Sequence, residues 1–255
     1  YLMNDIAYSI NKLEKRGFNR AINIWGTDHH GDVPRLLAGV AVLGHEGKME
    51  ILLHQLVLLK QKDPSTGSGQ VLKISKRAGN LVLLDDLVKD VGRDAVRFFF
   101  LMKDLNTHME FDVDLAKEQS KKNPVFYIQY ANARLNSIFT QAKMLFSQTI
   151  NNQQSTVNNI EADLKLLKEP EELLLIRKMI KFPELLEEIS ENYQVHHLAQ
   201  YAFDLAGGFH NFYEKHRVVQ DDKKLETARL ELCRAVQIVL KLCLNLMGVS
   251  SPERM

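Results

Sequence analysis

The sequence predicts an α/β half followed by an all-α helical bundle. Three observations carry this. Residues 1 to about 121 alternate helical periodicity with short apolar runs, the signature of an α/β layer with a parallel sheet. Residues from about 122 onward hold no convincing strand and step their apolar positions by three and four. A composition of 45% hydrophobic and 25% charged residues is that of a globular protein. It excludes disorder throughout, a collagen-like repeat and a disulfide-stapled miniprotein. The length of 255 residues allows one large domain or two ordinary ones. Boundaries at 1–121 and 122–255 are expected.

In the first half, Leu2 to Lys15 reads as a helix stopped near Gly17. Ala21 to Gly26 is a short apolar run ending in glycine and reads as a buried strand. Val33 to Leu43 is a second helix, and Ile51 to Leu59 a second strand. Asp63 to Gly69 is the turn-rich cluster and reads as a flexible hairpin-like loop. In the second half, Val125, Phe126, Gln129, Ala133, Ile138, Ala142 and Leu145 trace a long helix. Asn151 to Asn159 is amide-rich and reads as a loop. Leu173 to Ile180 is helical, and Phe182-Pro183 interrupts it before Leu185 to Ile189. Val195 to Phe212 and Leu225 to Leu246 complete a bundle of four or five helices.

Lys+Arg is 33 and Asp+Glu is 32, a net charge of +1. A strongly basic nucleic-acid binder would show a larger excess, although a local basic face is compatible with this balance. Cys233 and Cys243 fall ten residues apart in one helical pattern, about 15 Å of rise, too far to bridge. Buried, reduced thiols in a reducing cytoplasm are expected. No run of 18 apolar residues is present, so no transmembrane helix is expected. The opening Tyr1-Leu2-Met3-Asn4-Asp5 is unlike a signal peptide and runs straight into helical periodicity. The expectation is a chain that begins in the middle of a domain.

Four places could carry chemistry. Gly26-Thr27-Asp28-His29-His30-Gly31 follows a strand directly, and open α/β sheets bind ligands at strand ends. Glycine there lets a ligand approach the backbone, and Asp28 can accept hydrogen bonds from a sugar hydroxyl. The same Asp and His residues could hold a metal, or simply cap the next helix. Lys73-Ile74-Ser75-Lys76-Arg77-Ala78-Gly79-Asn80 places three cations beside small residues, suited to a loop that clamps a polyphosphate. A basic run is also often a solvated face. Tyr1 and Asp5 stand at i and i+4 on one helix face and could grip a cationic group. Phe209 to Arg217 mixes rings and cations that can stack unpaired bases, although Phe209 and Phe212 at helical spacing suit a core. Tyr213 and Arg217, again i and i+4, are expected to share a face.

These residues resemble a known family. Lys73-Ile74-Ser75-Lys76-Arg77 resembles the KMSKS signature of class I aminoacyl-tRNA synthetases. With Ala78-Gly79-Asn80 it is similar to the arginyl-tRNA synthetase version. Gly26 to Gly31 resembles that family's GADHHG segment, and Asn123 to Ala131 its NPVYYIQYA entry into the anticodon-binding domain. The last residues, Ser251-Pro252-Glu253-Arg254-Met255, are also similar. The resemblance runs from Tyr1 to Met255.

The resemblance implies a Rossmann-like nucleotide-binding half followed by an α-helical anticodon-binding domain. It implies an arginine–tRNA ligase that forms arginyl-adenylate from L-arginine and ATP and passes the arginyl group to arginine tRNA. It further implies that tRNA is required even for the first step. Tyr1 and Asp5 would recognise the arginine guanidinium, which a carboxylate answers in charge and geometry, and His29 would line that pocket. Gly26, Asp28 and Ser75 would bind ATP, which carries Mg²⁺ with it, without any tightly bound metal. Lys73 and Lys76 would stabilise the departing pyrophosphate. Tyr213, Arg217 and Met255 would contact anticodon bases. A cytoplasmic monomer without membrane partners is expected.

Departures qualify this. The HIGH motif that holds the ATP phosphates is absent from the sequence, so the chain is expected to be inactive by itself. Ile74 replaces a methionine, Arg77 the final serine, and Asp32 stands where an aromatic is frequent. Two other functions fit parts of the sequence. One is a non-catalytic tRNA-binding module derived from a synthetase. The other is a metal phosphoesterase of the DHH type, built on Asp28-His29-His30, for which no clear set of further aspartates is present.

Overall fold

The computed structural model describes residues 1–62, 69–72, 83–152 and 162–255. They form two compact units, Tyr1–Ser75 with Lys103–Phe111, and Lys76–Met102 with Asp112–Met255.

The first unit opens with α1 (Leu2–Ile10), whose last turns widen to a π-helix over Asn11–Lys15. The chain then enters β1 (Ala21–Gly26), passes a 3₁₀ turn (Thr27–Asp32) into α2 (Val33–Val40), and returns as β2 (Met49–His54). β1 and β2 pair in parallel from Ala21↔Met49 to Gly26↔His54. A parallel pair needs a crossover, and α2 supplies it. Leu13, Ala21, Leu36, Val40 and Met49 form the core, with Leu2, Ile6, Trp25 and Ile51 packed against it.

Two expectations are corrected. β1 is buried on one face only: Ile22 and Ile24 are 43% and 66% exposed. A short apolar run predicts a buried strand, but among the described residues of this unit nothing covers the face of Ile22 and Ile24. The run Ile51 to Leu59 is not one strand. It breaks at Gln55, whose amide N–H donates to the Leu105 carbonyl at 2.8 Å. After the break, β3 (Val57–Lys62) pairs antiparallel with β4 (Gly69–Leu72), with β5 (Met109–Asp112) on its other edge. β3 and β4 flank residues 63–68, the expected hairpin loop, which lie outside the described residues.

In the second unit, α3 (Leu84–Val91), α4 (Arg93–Leu101) and α5 (Val113–Lys117) pack on one another. Sequence periodicity missed all three. Five longer helices follow: α6 (Pro124–Asn152), α7 (Pro170–Ile180), α8 (Phe182–Asn192), α9 (His196–Lys215) and α10 (Lys223–Leu246). Among the described residues this region holds no strand, as expected. Pro183 lies in the first turn of α8, where its missing N–H costs nothing. The predicted loop from Asn151 falls mainly on 153–161, outside the described residues. α9 packs on α10, and Leu205, Ala206, Phe209 and Phe212 of α9 and Val236, Leu240, Cys243 and Leu244 of α10 are all fully buried. Cys233 and Cys243 are free and buried, and burial pushes both thiols up to about 12.

Among the described residues, one ion pair lies inside this bundle. Arg229 Nε meets Glu172 Oε1 at 2.7 Å, with the side chains 8% and 0% exposed. Glu172 Oε2 accepts the Glu169 N–H at 3.0 Å, closing a capping box on α7. A guanidinium nitrogen of Arg229 donates to the Arg217 carbonyl at 2.8 Å. At the surface, Glu171 receives Lys215 at 2.5 Å and His216 at 3.0 Å, which hold its carboxyl down at about 2.

Removing one partner of a buried pair strands the other charge. Arg229→Met is therefore expected to lower stability by about 3–5 kcal/mol in urea unfolding. The double variant with Glu172→Leu is expected to recover part of that loss. Equal losses in single and double variants would contradict it.

Candidate nucleic-acid interface

The first unit positions one predicted cluster at the carboxyl end of β1. A Cβ at Gly26 would collide with the Asp28 carboxylate, so glycine here makes room for a side chain of the same loop. The Asp28 side chain is 82% exposed. His29 stands between two carboxylates, 3.8 Å from Asp28 and 3.8 Å from Asp32. Its ring lies 6.1 Å from Trp25. Asp32 pairs with Arg35 at 3.2 Å, which gives that residue a local partner. Among the described residues, no three His, Cys, Asp or Glu side chains are grouped to hold a metal ion. Tyr1 and Asp5 stand one turn apart, the Asp5 N–H donating to the Tyr1 carbonyl at 3.1 Å, and both are exposed. Lys73, Ser75 and Lys76 lie outside the described residues.

The second unit builds a more developed surface. α6 and α9 pack side by side, and their rings interleave. His210 sits 4.5 Å from the Tyr127 ring and 5.8 Å from the Tyr130 ring. It lies within 3.4 Å of the Tyr127 carbonyl. Burial pushes its pKa down, more than that carbonyl restores, so the imidazole stays neutral at neutral pH. Burial also raises the Tyr127 phenol. Phe209 contacts Tyr213 at 6.0 Å. Phe209 and Phe212 are core, as helical spacing allowed.

Arg134 completes the surface. Its guanidinium carbon lies 4.8 Å from the Tyr130 ring centroid and 4.8 Å from that of Tyr213. It also donates to the Tyr130 hydroxyl at 2.7 Å. Two rings thus bracket one cation, with Tyr213 36% exposed. An exposed ring beside a guanidinium is a platform on which an unpaired base can stack. Sequence reasoning gave Tyr130 and Arg134 no role. Their i, i+4 spacing on α6 repeats that of Tyr213 and Arg217 and could have revealed them.

Arg217 corrects an expectation. α9 ends at Lys215, and His216 is extended at φ −126°, ψ 130°. Arg217 therefore lies past the helix and does not share its face with Tyr213. It is exposed, with its carbonyl tied to Arg229. Met255 is 52% exposed at the end of the chain.

Comparison with known proteins gives the family of the chain. The family model of the DALR anticodon binding domain matches residues 128–255, and the chain belongs to that family. The relatives are more particular. The chain is 44% identical over 257 residues to the arginine–tRNA ligase of Desulforamulus reducens. It is 44% identical over 256 residues to that of Moorella thermoacetica. Both alignments cover 100% of this chain, which spans 43% of each relative's length. Among solved structures, the putative arginyl-tRNA synthetase of Campylobacter jejuni superposes with a TM-score of 0.81 and 32% identity, over 100% of this chain and 52% of that one. The Thermus thermophilus arginyl-tRNA synthetase shares the fold, with a TM-score of 0.73 at 21% identity, over 100% of this chain and 49% of that one. The chain is thus related along its whole length to arginyl-tRNA synthetases. No helix among the described residues is long and apolar enough to cross a membrane.

The neutral His210 gives a pH prediction. Its folded pKa lies below the usual 6.5, so the unfolded chain binds the extra proton first. Stability is expected to be fully present above about pH 6.5 and to fall as the pH drops toward the folded value. Thermal unfolding across that range reads it, and His210→Phe should flatten the slope. A slope unchanged by that substitution would contradict the assignment.

Proposed function

We propose that the whole protein of which this chain forms part is an arginine–tRNA ligase, and that the helical unit reads the anticodon of arginine tRNA. The observation that carries this is the 44% identity to arginine–tRNA ligases along the entire chain. The anticodon surface would be the stack of Tyr130, Arg134 and Tyr213, with Arg217 and Met255 as further contacts. Stacking and apolar packing supply this binding, which suits a chain of net charge +1.

The first unit would belong to a Rossmann-like nucleotide-binding domain. The parallel pair β1–β2 and the open face at Ile22 and Ile24 support that reading, since α/β sheets cover both faces. Gly26, Asp28 and Ser75 would bind ATP, with Asp28 accepting from the ribose hydroxyls and Mg²⁺ entering with the nucleotide. Tyr1, Asp5 and His29 would hold L-arginine. Lys73 and Lys76 would neutralise charge as the arginine carboxylate attacks the α-phosphorus and pyrophosphate leaves. A terminal ribose hydroxyl of the tRNA would then take the arginyl group. This chain alone, without the HIGH motif, is expected not to catalyse that reaction. We place the protein in the cytoplasm and expect a monomer. The absent motif also suits a non-catalytic tRNA-binding module, for which the helical unit would serve unchanged.

The chain is expected to bind arginine tRNA more tightly, by about tenfold or more, than the same tRNA with its central anticodon base changed. Measurement at two salt concentrations separates base reading from phosphate attraction. Tyr213→Ala should weaken binding of the unchanged tRNA by about five- to a hundredfold. Equal binding of both tRNAs would overturn the anticodon reading.

A further inference from the structure

The C-terminal segment leaves α10 through a turn that α4 and α6 hold. Gly248 has φ 66°, and a Cβ there would meet the Arg97 guanidinium at 2.5–2.7 Å. The left-handed backbone favours glycine, which also leaves room for that side chain. Arg97 Nε donates to the Met247 carbonyl at 2.8 Å. Beyond the turn, Gln129 Nε2 donates to the Ser250 carbonyl at 3.0 Å and to Asp94 Oδ2 at 2.8 Å. Ser250 Oγ donates to the same Asp94 oxygen. Asn132 Nδ2 donates to the carbonyls of Ser251 at 3.2 Å and Pro252 at 2.8 Å. Three successive tail carbonyls are thus taken by two amides at i and i+3 on α6.

Asn132 is fully buried, and its Oδ1 has no hydrogen-bond partner among the described residues. A buried acceptor left unpaired is destabilising. A leucine of similar size would remove that penalty. What asparagine supplies and leucine lacks is a pair of N–H groups aimed at the tail.

We infer that Gln129 and Asn132 are positioning residues that set the course of the last residues and thereby place Met255 against an anticodon base. This rests on the proposed reading of Met255 as a base contact. The amides themselves are buried and touch no RNA; they act through the tail.

The test uses the 255-residue chain carrying ¹³C-methyl methionine, with Asn132→Leu as the variant. Asn136→Leu is the control, because the Asn136 side chain bonds Gln237 and the Asn132 backbone carbonyl but no tail carbonyl. Two quantities are read: the relaxation of the Met255 methyl, and the ratio of affinities for arginine tRNA with its natural and its changed central anticodon base. Asn132→Leu should leave the unfolding midpoint in place and narrow the Met255 methyl signal toward that of a free chain end. It should also cut the ratio by about five- to tenfold. Asn136→Leu should change neither reading. Gln129→Met, which removes the donor to Ser250 at similar volume, should reproduce both changes and serves if Asn132→Leu does not fold. A Met255 methyl unaffected by the variants overturns the inference, and so does a freed methyl with an intact ratio. A wild-type chain that does not discriminate overturns the reading of Met255 and this inference with it, a failure visible before any variant is made.

Discussion

The buried pair of Glu172 and Arg229 is the constraint on which the helical unit depends. It joins α7 to α10, 57 residues apart in sequence, at 2.7 Å. Burying two charges is costly unless each finds its partner and its remaining hydrogen bonds. Here both do. Glu172 spends its second oxygen on the Glu169 N–H, which starts α7. Arg229 spends a second nitrogen on the Arg217 carbonyl, which fixes the chain just after α9. One interaction therefore sets a helix start, a helix crossing and the exit of the segment that carries an exposed arginine. Lys215 and His216, clamped on Glu171 one residue away, hold the end of α9 to the same place.

α6 turns this rigidity toward function. Within two turns it presents Tyr130 and Arg134 to the rings of α9, and Gln129 and Asn132 to the C-terminal segment. The ring side is a stack of partly exposed aromatic groups and one cation. The amide side is a buried hydrogen-bond array. Neither needs high net charge, so the proposed base-stacking role is compatible with a net charge of +1. The buried Phe209 packs against the Tyr213 ring at 6.0 Å and limits its movement.

Much of this was legible in the sequence, for reasons that differ by element. α6, α9 and α10 announce themselves because one stripe of each is apolar at a helical period over many turns. β1 was legible as an apolar run ending in glycine, but its open face was not, since apolar residues on both sides of a strand say nothing about what covers them. The break at Gln55 was hidden by the apolar residues around it. α3 to α5 escaped because short helices give too few turns for a period to show. The end of α9 at Lys215 was missed because Tyr213 and Arg217 keep helical spacing, while the backbone turns extended at His216. Glu172 with Arg229, and Asn132 with the tail, join residues far apart in the chain, and no local pattern in one sequence marks such pairs. The family resemblance suggested roles for Tyr213, Arg217 and Met255, and the ring–guanidinium geometry adds Tyr130 and Arg134 to that proposal.

In the proposed function, the face built on Tyr130, Arg134 and Tyr213 receives the anticodon loop. The most direct measurement is an NMR titration of the labelled chain with an RNA hairpin carrying the anticodon loop of arginine tRNA. Shifts concentrated on Tyr130, Arg134, Tyr213 and Met255, and absent with a hairpin of scrambled loop sequence, are predicted. Shifts centred instead on Ile238, Leu242 and Leu246, which are exposed on α10, or equal for both hairpins, would contradict this role.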